Sequence, residues 1–150
     1  MYPQGKIIVV DDSPFDYEFI SLALRETRFG GELIWLKTGV EFLSYLETHP
    51  WQEIVFVLMD LKMPCLSGVE TLQKLPPAYL GKFPILMMSS SNQDKDVQNC
   101  WDLGACAFIA KPIGFEEFCQ TFQQIWTFWG ELNEISQLRL ASVPFSLQSE

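Results

Sequence analysis

Short apolar runs alternate along the chain with segments whose apolar residues recur at helical spacing. The runs are Lys6-Ile7-Ile8-Val9-Val10, Leu33-Ile34-Trp35-Leu36, Ile54 to Met59, Ile85-Leu86-Met87-Met88 and Ala107-Phe108-Ile109. Strand-length runs separated by helical segments predict βαβ units and a parallel sheet wrapped on both sides. The expected fold class is α/β, a doubly wound five-stranded parallel sheet flanked by five helices.

The first helix has a strong start: Ser13 as cap, Pro14 in the first turn and Asp16 where a capping-box acid belongs, with Phe15, Phe19, Leu22 and Ala23 on one face. The second is expected through Val40, Leu43 and Leu46. The third runs through Val69, Leu72 and Leu75 and stops at Pro76-Pro77. The fourth covers about 94 to 103 and is capped by Gly104.

From Phe115 one stripe continues through Phe118, Phe122, Ile125, Trp129 and Leu132, longer than a helix covering one sheet requires. Trp126 and Phe128 fall off it, and Ile135, Leu138, Leu140, Val143 and Phe145 prolong the apolar supply. An extended C-terminal helix and tail is expected, either folded back on its own domain or, as an aromatic patch of this size favours, serving as a homodimer or partner surface. The domain is placed at 1–128 and the extension at 129–150, with no separate output domain.

Length and composition fit one domain: 150 residues, 48% of them apolar, suffice for a core. Nineteen acidic against ten basic residues give a formal charge of -9. Such a chain repels phosphate backbones and anionic membranes, so neither nucleic acid nor a membrane is an expected partner. Without a signal-like or membrane-spanning run, the expected location is cytoplasmic. Cys65, Cys100, Cys106 and Cys119 lack CxxC spacing and the lone His49 precedes Pro50, which argues against a zinc site.

Polar residues gather at equivalent ends of the strands. Asp11 and Asp12 follow the first, Asp60 interrupts apolar sequence at the end of the third, Ser89 ends the fourth and Lys111 the fifth. In an open parallel sheet these carboxyl ends line the ligand crevice. With strand order 2-1-3-4-5 the three carboxylates meet, and their repulsion calls for a cation such as Mg²⁺, which takes carboxylate and phosphate oxygens. Lys111 supplies a point charge and Ser89 a hydroxyl. The anionic group this arrangement fits is a phosphoryl, with Asp60 as nucleophile. Each piece alone has a bland reading as turn, loop or cap; the conjunction is specific.

The stretches "IIVVDDS" (7 to 13), "VLMDLKMPCLSGVE" (57 to 70), "PILMMSSS" (84 to 91) and "GACAFIAKPI" (104 to 113) together resemble the receiver domain of two-component response regulators, the CheY-like family of flavodoxin-like fold. The resemblance spans residues 6 to about 128. It implies that Asp60 accepts a phosphoryl group from the phosphohistidine of a sensor histidine kinase. It also implies that Asp12, Asp60 and the backbone carbonyl of Lys62 hold Mg²⁺, with Asp11 assisting through water. Ser89 would be the hydroxyl drawn to the phosphoryl, Lys111 its ion-pair partner, and Pro112 would follow a cis peptide bond. Phe108 stands at the switch position, where Tyr is frequent, and brings no phenol hydroxyl. Lys62 and Ser91 occupy positions that tune phosphoryl lifetime in this family.

The implied protein is a phosphoacceptor that acts by protein contact and catalyses only its own phosphorylation and dephosphorylation. The "SSS" run and "QQIWTFWGELNE" resemble stand-alone regulators paired with phytochrome-type kinases, which dimerise through that region. A phosphorelay intermediate, a phosphate sink or a constitutive scaffold is the alternative within the fold. A haloacid-dehalogenase-type phosphatase would need Asp at position 13, where Ser stands. A flavodoxin-like cofactor binder would need a phosphate loop where Asp11 and Asp12 would repel the ligand.

Overall fold

The computed structural model describes residues 5–90 and 94–131. Five parallel strands, β1 (Lys6–Val10), β2 (Glu32–Leu36), β3 (Ile54–Asp60), β4 (Ile85–Ser89) and β5 (Ala107–Ala110), lie in the order β2-β1-β3-β4-β5. Each expected strand is present within one residue of its expected ends. Five helices connect or follow them: α1 (Pro14–Arg25), α2 (Gly39–Thr48), α3 (Gly68–Lys74), α4 (Asp94–Asp102) and α5 (Phe115–Ile125).

The two faces of the sheet bury separate cores. Ile8, Val10, Val57, Met59 and Met87 meet Phe42, Tyr45 and Leu46 of α2 and Leu72 of α3. Ile7, Val9, Leu58, Leu86 and Met88 meet Ile20, Ala23 and Leu24 of α1 and Phe118, Phe122 and Ile125 of α5. Alternation along each strand, with its period of two, divides the residues between the cores. Val55 has no partner in the register between β1 and β3, so Val55 and Phe56 both face α1 and α5.

In α1 and α2 the expected faces meet the core through Phe19 and Ala23 and through Leu43 and Leu46, but a first-turn residue of each is turned outward. Phe15 in the first turn of α1 is 73% exposed, and the buried residues there are Ile20, Ala23 and Leu24. In α2, Val40 is exposed while Phe42, Tyr45 and Leu46 are buried. In both cases larger or better-placed apolar neighbours won the sheet-facing side, which spacing alone does not decide. Gly104 closes α4 as expected, with φ of +100° and its N–H donating to the Trp101 carbonyl.

After α5 the chain widens into a π-helical turn, Trp126–Glu131. Trp126, expected off the stripe, is buried against Phe29 instead: four residues after Phe122, it continues the helical face of Phe118 and Phe122. The close approach of the Trp126 ring leaves no room for a Cβ at position 130. Trp129 packs on the same core, and Phe128 is 58% exposed. The apolar positions from Leu132 to Phe145 lie outside the described residues, as does Ser91.

The start of α3 is held tightly to the end of β3. Ser67 and Glu70 form a capping box, and the Gly68 N–H donates to the Leu61 carbonyl at 2.8 Å. A Cβ on Gly68 would lie 2.6 Å from the Asp60 carbonyl oxygen and 2.9 Å from the Leu61 Cα, both backbone atoms. Gly68→Ala should therefore cost about 2 kcal/mol, as overpacking typically does. A urea denaturation midpoint equal to that of the unsubstituted protein would contradict the close contact.

Candidate functional site: an acidic cleft closed by one lysine

Asp11, Asp60 and Lys111 are each positioned by the end of a strand. β1 ends where the Asp11 N–H donates to the Leu36 carbonyl of β2 at 3.0 Å. Asp60 is the last residue of β3, and the next N–H, that of Leu61, donates to the Met88 carbonyl of β4. The Lys111 N–H donates to the Ser89 carbonyl at 2.9 Å, continuing the β4–β5 ladder by one step. Parallel strands of matched length thus bring residues far apart in sequence to one rim.

There, ligand oxygens of Asp11, Asp12 and Asp60 lie within 4.8 Å of one another. Asp11 and Asp60 are buried, only 3% and 7% exposed, while Asp12 is open to solvent. The Lys111 ammonium reaches Oδ2 of Asp60 and Oδ2 of Asp11, each at 3.2 Å. The Asp60 Oδ1 accepts the Lys62 N–H at 3.2 Å, and the Asp11 Oδ1 accepts the Ser13 N–H at 2.9 Å.

A fourth carboxylate belongs to the cluster, and sequence reading had given it another task. Asp16 Oδ2 is 2.6 Å from the Lys111 ammonium, the shortest of that lysine's three acid contacts. Ser13 does cap α1, accepting the Asp16 N–H at 3.3 Å, but the Asp16 carboxylate does not return the capping-box bond. Ion pairing with a half-buried ammonium outcompetes a neutral backbone donor. The available signal was positional: an acid one turn into the helix that follows Asp11 and Asp12 stands over the same rim.

Burial dominates the acidity of the cleft. It pushes Asp11 up to about 6, against the opposing pull of the Ser13 N–H and Lys111. It also raises Asp60 above the ordinary carboxylate range despite Lys111 and the Lys62 N–H. Burial works against the Lys111 charge, but its hydrogen bond to Asp16 and the field of Asp11 and Asp60 outweigh that and hold its pKa above the usual lysine value.

The remaining expected residues stand nearby in the sheet. Ser89 is buried at the end of β4, and Phe108 of β5 is half-buried against the α2–α4 core, opposite Met87 in the strand register. The peptide before Pro112 is trans, where the resemblance implied cis; the two isomers of an X–Pro bond differ by only about 0.5–1 kcal/mol. Among the described residues, no helix is long and apolar enough to cross a membrane.

Comparison with known proteins places this cleft in a family. The family model for the response regulator receiver domain matches residues 7–123. The chain is 27% identical over 127 residues to the probable methanogenesis regulatory protein FilR2 of Methanothrix harundinacea (strain 6Ac), covering 82% of each. It is 32% identical over 114 residues to the two-component response regulator ORR1 of Oryza sativa subsp. japonica. That match covers 72% of this chain and 49% of ORR1, so the chain spans about half the length of that relative. Among solved structures, the phosphorylated cyanobacterial phytochrome response regulator RcpA superposes with a TM-score of 0.76 at 26% identity, covering 85% of this chain and 94% of that one. The Mn(2+)-bound form of response regulator Rcp1 gives 0.73 at 26% identity over 83% and 94%. The bacteriophytochrome response regulator AtBRR gives 0.65 at 31% identity over 85% and 96%. With the family match running from β1 into α5 and the acids and lysine of its motifs gathered in one cleft, the chain belongs to the response regulator receiver domain family.

Proposed function

We propose that this receiver domain accepts a phosphoryl group on Asp60 from a sensor histidine kinase and signals through protein contacts that depend on the phosphorylated state. The observation that carries the reading is the surroundings of Asp60: a carboxylate at a buried rim, with Lys111 on one oxygen and the Lys62 N–H on the other. In the transfer, an Asp60 oxygen attacks phosphorus, the P–N bond of the phosphohistidine breaks, and the departing imidazole keeps the electron pair. Lys111 neutralises charge on the phosphoryl oxygens throughout. The chain acts as the acceptor and not on a separate substrate.

A divalent cation fits the donor set. Three carboxylates crowd within 4.8 Å while, among the described residues, the ammonium of Lys111 reaches only Asp11 and Asp60 of them and is already shared with Asp16. Hard oxygen ligands of this kind suit Mg²⁺. Asp11, Asp12, Asp60 and the Lys62 backbone carbonyl would hold it, and the bound ion would supply positive charge to the incoming phosphoryl. The Mn(2+)-bound form of Rcp1 supports a divalent ion at this kind of site.

Ser89 is the hydroxyl proposed to move toward the phosphoryl, letting Phe108 turn inward and reshape the surface of α4, β5 and α5. Turning such an equilibrium from mostly off to mostly on requires on the order of 5 kcal/mol of differential interaction. The phytochrome response regulators among the structural relatives support a kinase of phytochrome type. Homodimerisation through the C-terminal region is part of the proposal, supported by the exposed Phe128 ring.

Three outcomes are expected. Asp60→Asn abolishes acid-labile phosphorylation by acetyl phosphate and by a phosphohistidine donor, read by intact-protein mass spectrometry; undiminished labelling would move the acceptor elsewhere. Phe128→Glu leaves the fold intact and lowers the mass measured by size exclusion with light scattering, whereas an unchanged dimer would take the interface away from this ring.

The third concerns acidity. Folding raises the Asp11 pKa from 3.8 to about 6, so the folded state binds that proton more tightly than the unfolded chain. The stabilisation is complete below about 4 and is lost as pH rises through about 6. Without metal, the wild type should therefore lose about 2 kcal/mol relative to Asp11→Asn across that window, after allowance for solvent screening. Mg²⁺ should close the gap. Urea denaturation with chelator and with Mg²⁺ measures both; a gap that stays constant with pH would refute the burial-driven shift.

A further inference from the structure

Trp35 of β2 sits beside the charged cluster without belonging to it. Its indole Nε1–H donates to the Asp11 carbonyl at 2.7 Å across 24 residues of sequence. The ring stacks on Tyr17 of α1, with centroids 4.6 Å apart and planes inclined by 7°. The Lys37 ammonium lies 5.0 Å from the ring centroid on the same indole.

The place of this bond in the β1–β2 ladder gives it its consequence. The last ladder contact is the Asp11 N–H to the Leu36 carbonyl, after which the chain leaves the sheet for α1. The Asp11 carbonyl lies beyond the strand, and a side chain supplies its donor. That carbonyl belongs to the peptide joining Asp11 to Asp12, so fixing its direction fixes the plane from which both carboxylates spring. Asp11 is also held at its carboxylate by the Ser13 N–H and Lys111. Asp12 is exposed, and the peptide plane is what constrains where its carboxylate stands.

We infer that Trp35 is a positioning residue for the acid pair, its indole N–H presetting Asp11 and Asp12 to share a divalent cation. The inference rests on the cation reading given above. Like-charged carboxylates within 4.8 Å of Asp60 repel, and an unanchored peptide would let them separate. Holding them together in the folded chain removes that ordering cost from the binding step. Stacking on Tyr17 and the position of Lys37 set the plane of the indole and thereby the direction of its N–H. A phenyl ring would fill the same stack but donate nothing, which separates the hydrogen bond from packing.

The test is calorimetric titration of the full chain with Mg²⁺ and with Mn²⁺, comparing wild type with Trp35→Phe, Trp35→Ala and the control Trp51→Phe. Trp51 lies away from the cleft with Lys82 over its ring. Trp35→Phe and Trp35→Ala should both weaken binding about tenfold, the lower end of the loss typical for groups that orient metal ligands. Trp51→Phe should leave it unchanged. Wild-type affinity in Trp35→Phe, with loss only in Trp35→Ala, would reduce Trp35 to packing and overturn the inference while leaving the cation reading intact. Absence of saturable binding by the wild type would overturn the cation reading and this inference with it. A measurement on the unsubstituted protein guards against a misfolded variant: the Trp35 indole N–H resonance should titrate in step with Mg²⁺ while that of Trp51 stays fixed. A Trp35 resonance that does not move would equally overturn the assignment.

Discussion

One ammonium among four carboxylates governs this end of the molecule. Lys111 touches Asp11, Asp16 and Asp60 at once, and Asp12 completes the acidic group without reaching it. The lysine is placed by its backbone, through the bond from its N–H to the Ser89 carbonyl, so the charge is anchored to the end of β4. Its ionic partners come from β1, α1 and β3. The cleft therefore exists only when sheet order, strand ends and the first turn of α1 are all correct, and removing any one strands a charge in partly buried surroundings.

The acidic excess is what makes the site a receptor for something more. Burial raises the proton affinity of Asp11 and Asp60 and so works against their charged forms. The lysine counters it for Asp60 and Asp11 but is itself most closely bound to Asp16. A resting site with more negative than positive charge is poorly suited to receive a phosphoryl group, which brings roughly two further charges. In the proposed reading, cationic compensation and phosphoryl transfer are therefore linked.

Much of this was legible in the residue order. β-rich runs and turn residues specified the strands, and the polar residues that end them specified the cleft, because in a parallel sheet the carboxyl ends share one side. What could not be read was side-chain choice among competing partners. Asp16 fits a capping box by spacing but pairs with Lys111, a residue 95 positions away. Val40 and Phe42 are both apolar and only the sheet decides between them. Trp126 is buried against Phe29, a partner from beyond α1 that spacing within α5 does not name. Trp35 looked like a strand residue, and its indole proton acquires meaning only once β2 lies beside β1.

The sidedness of the sheet sets the remaining constraint. Asp60 continues the alternation of Phe56 and Leu58 toward α1 and α5, and the pairing of Lys111 with Asp16 places the ammonium on the same side. Phe108 packs on the opposite core, and Ser89 follows Met87 toward it in the two-residue period of β4. Charge is thus collected on one face of the sheet while the residues expected to respond to it belong to the other. The two sets of side chains approach each other most directly at the strand ends, where Asp60 closes β3 and Ser89 closes β4. Under the proposed phosphorylation, the added group would carry charge from the Asp60 side of the rim toward the hydroxyl of Ser89 at the end of β4. The same geometry explains why the buried carboxylate of the cleft is the terminal residue of the central strand: one position earlier the side chain would lie inside the α2–α4 core, as Met59 does.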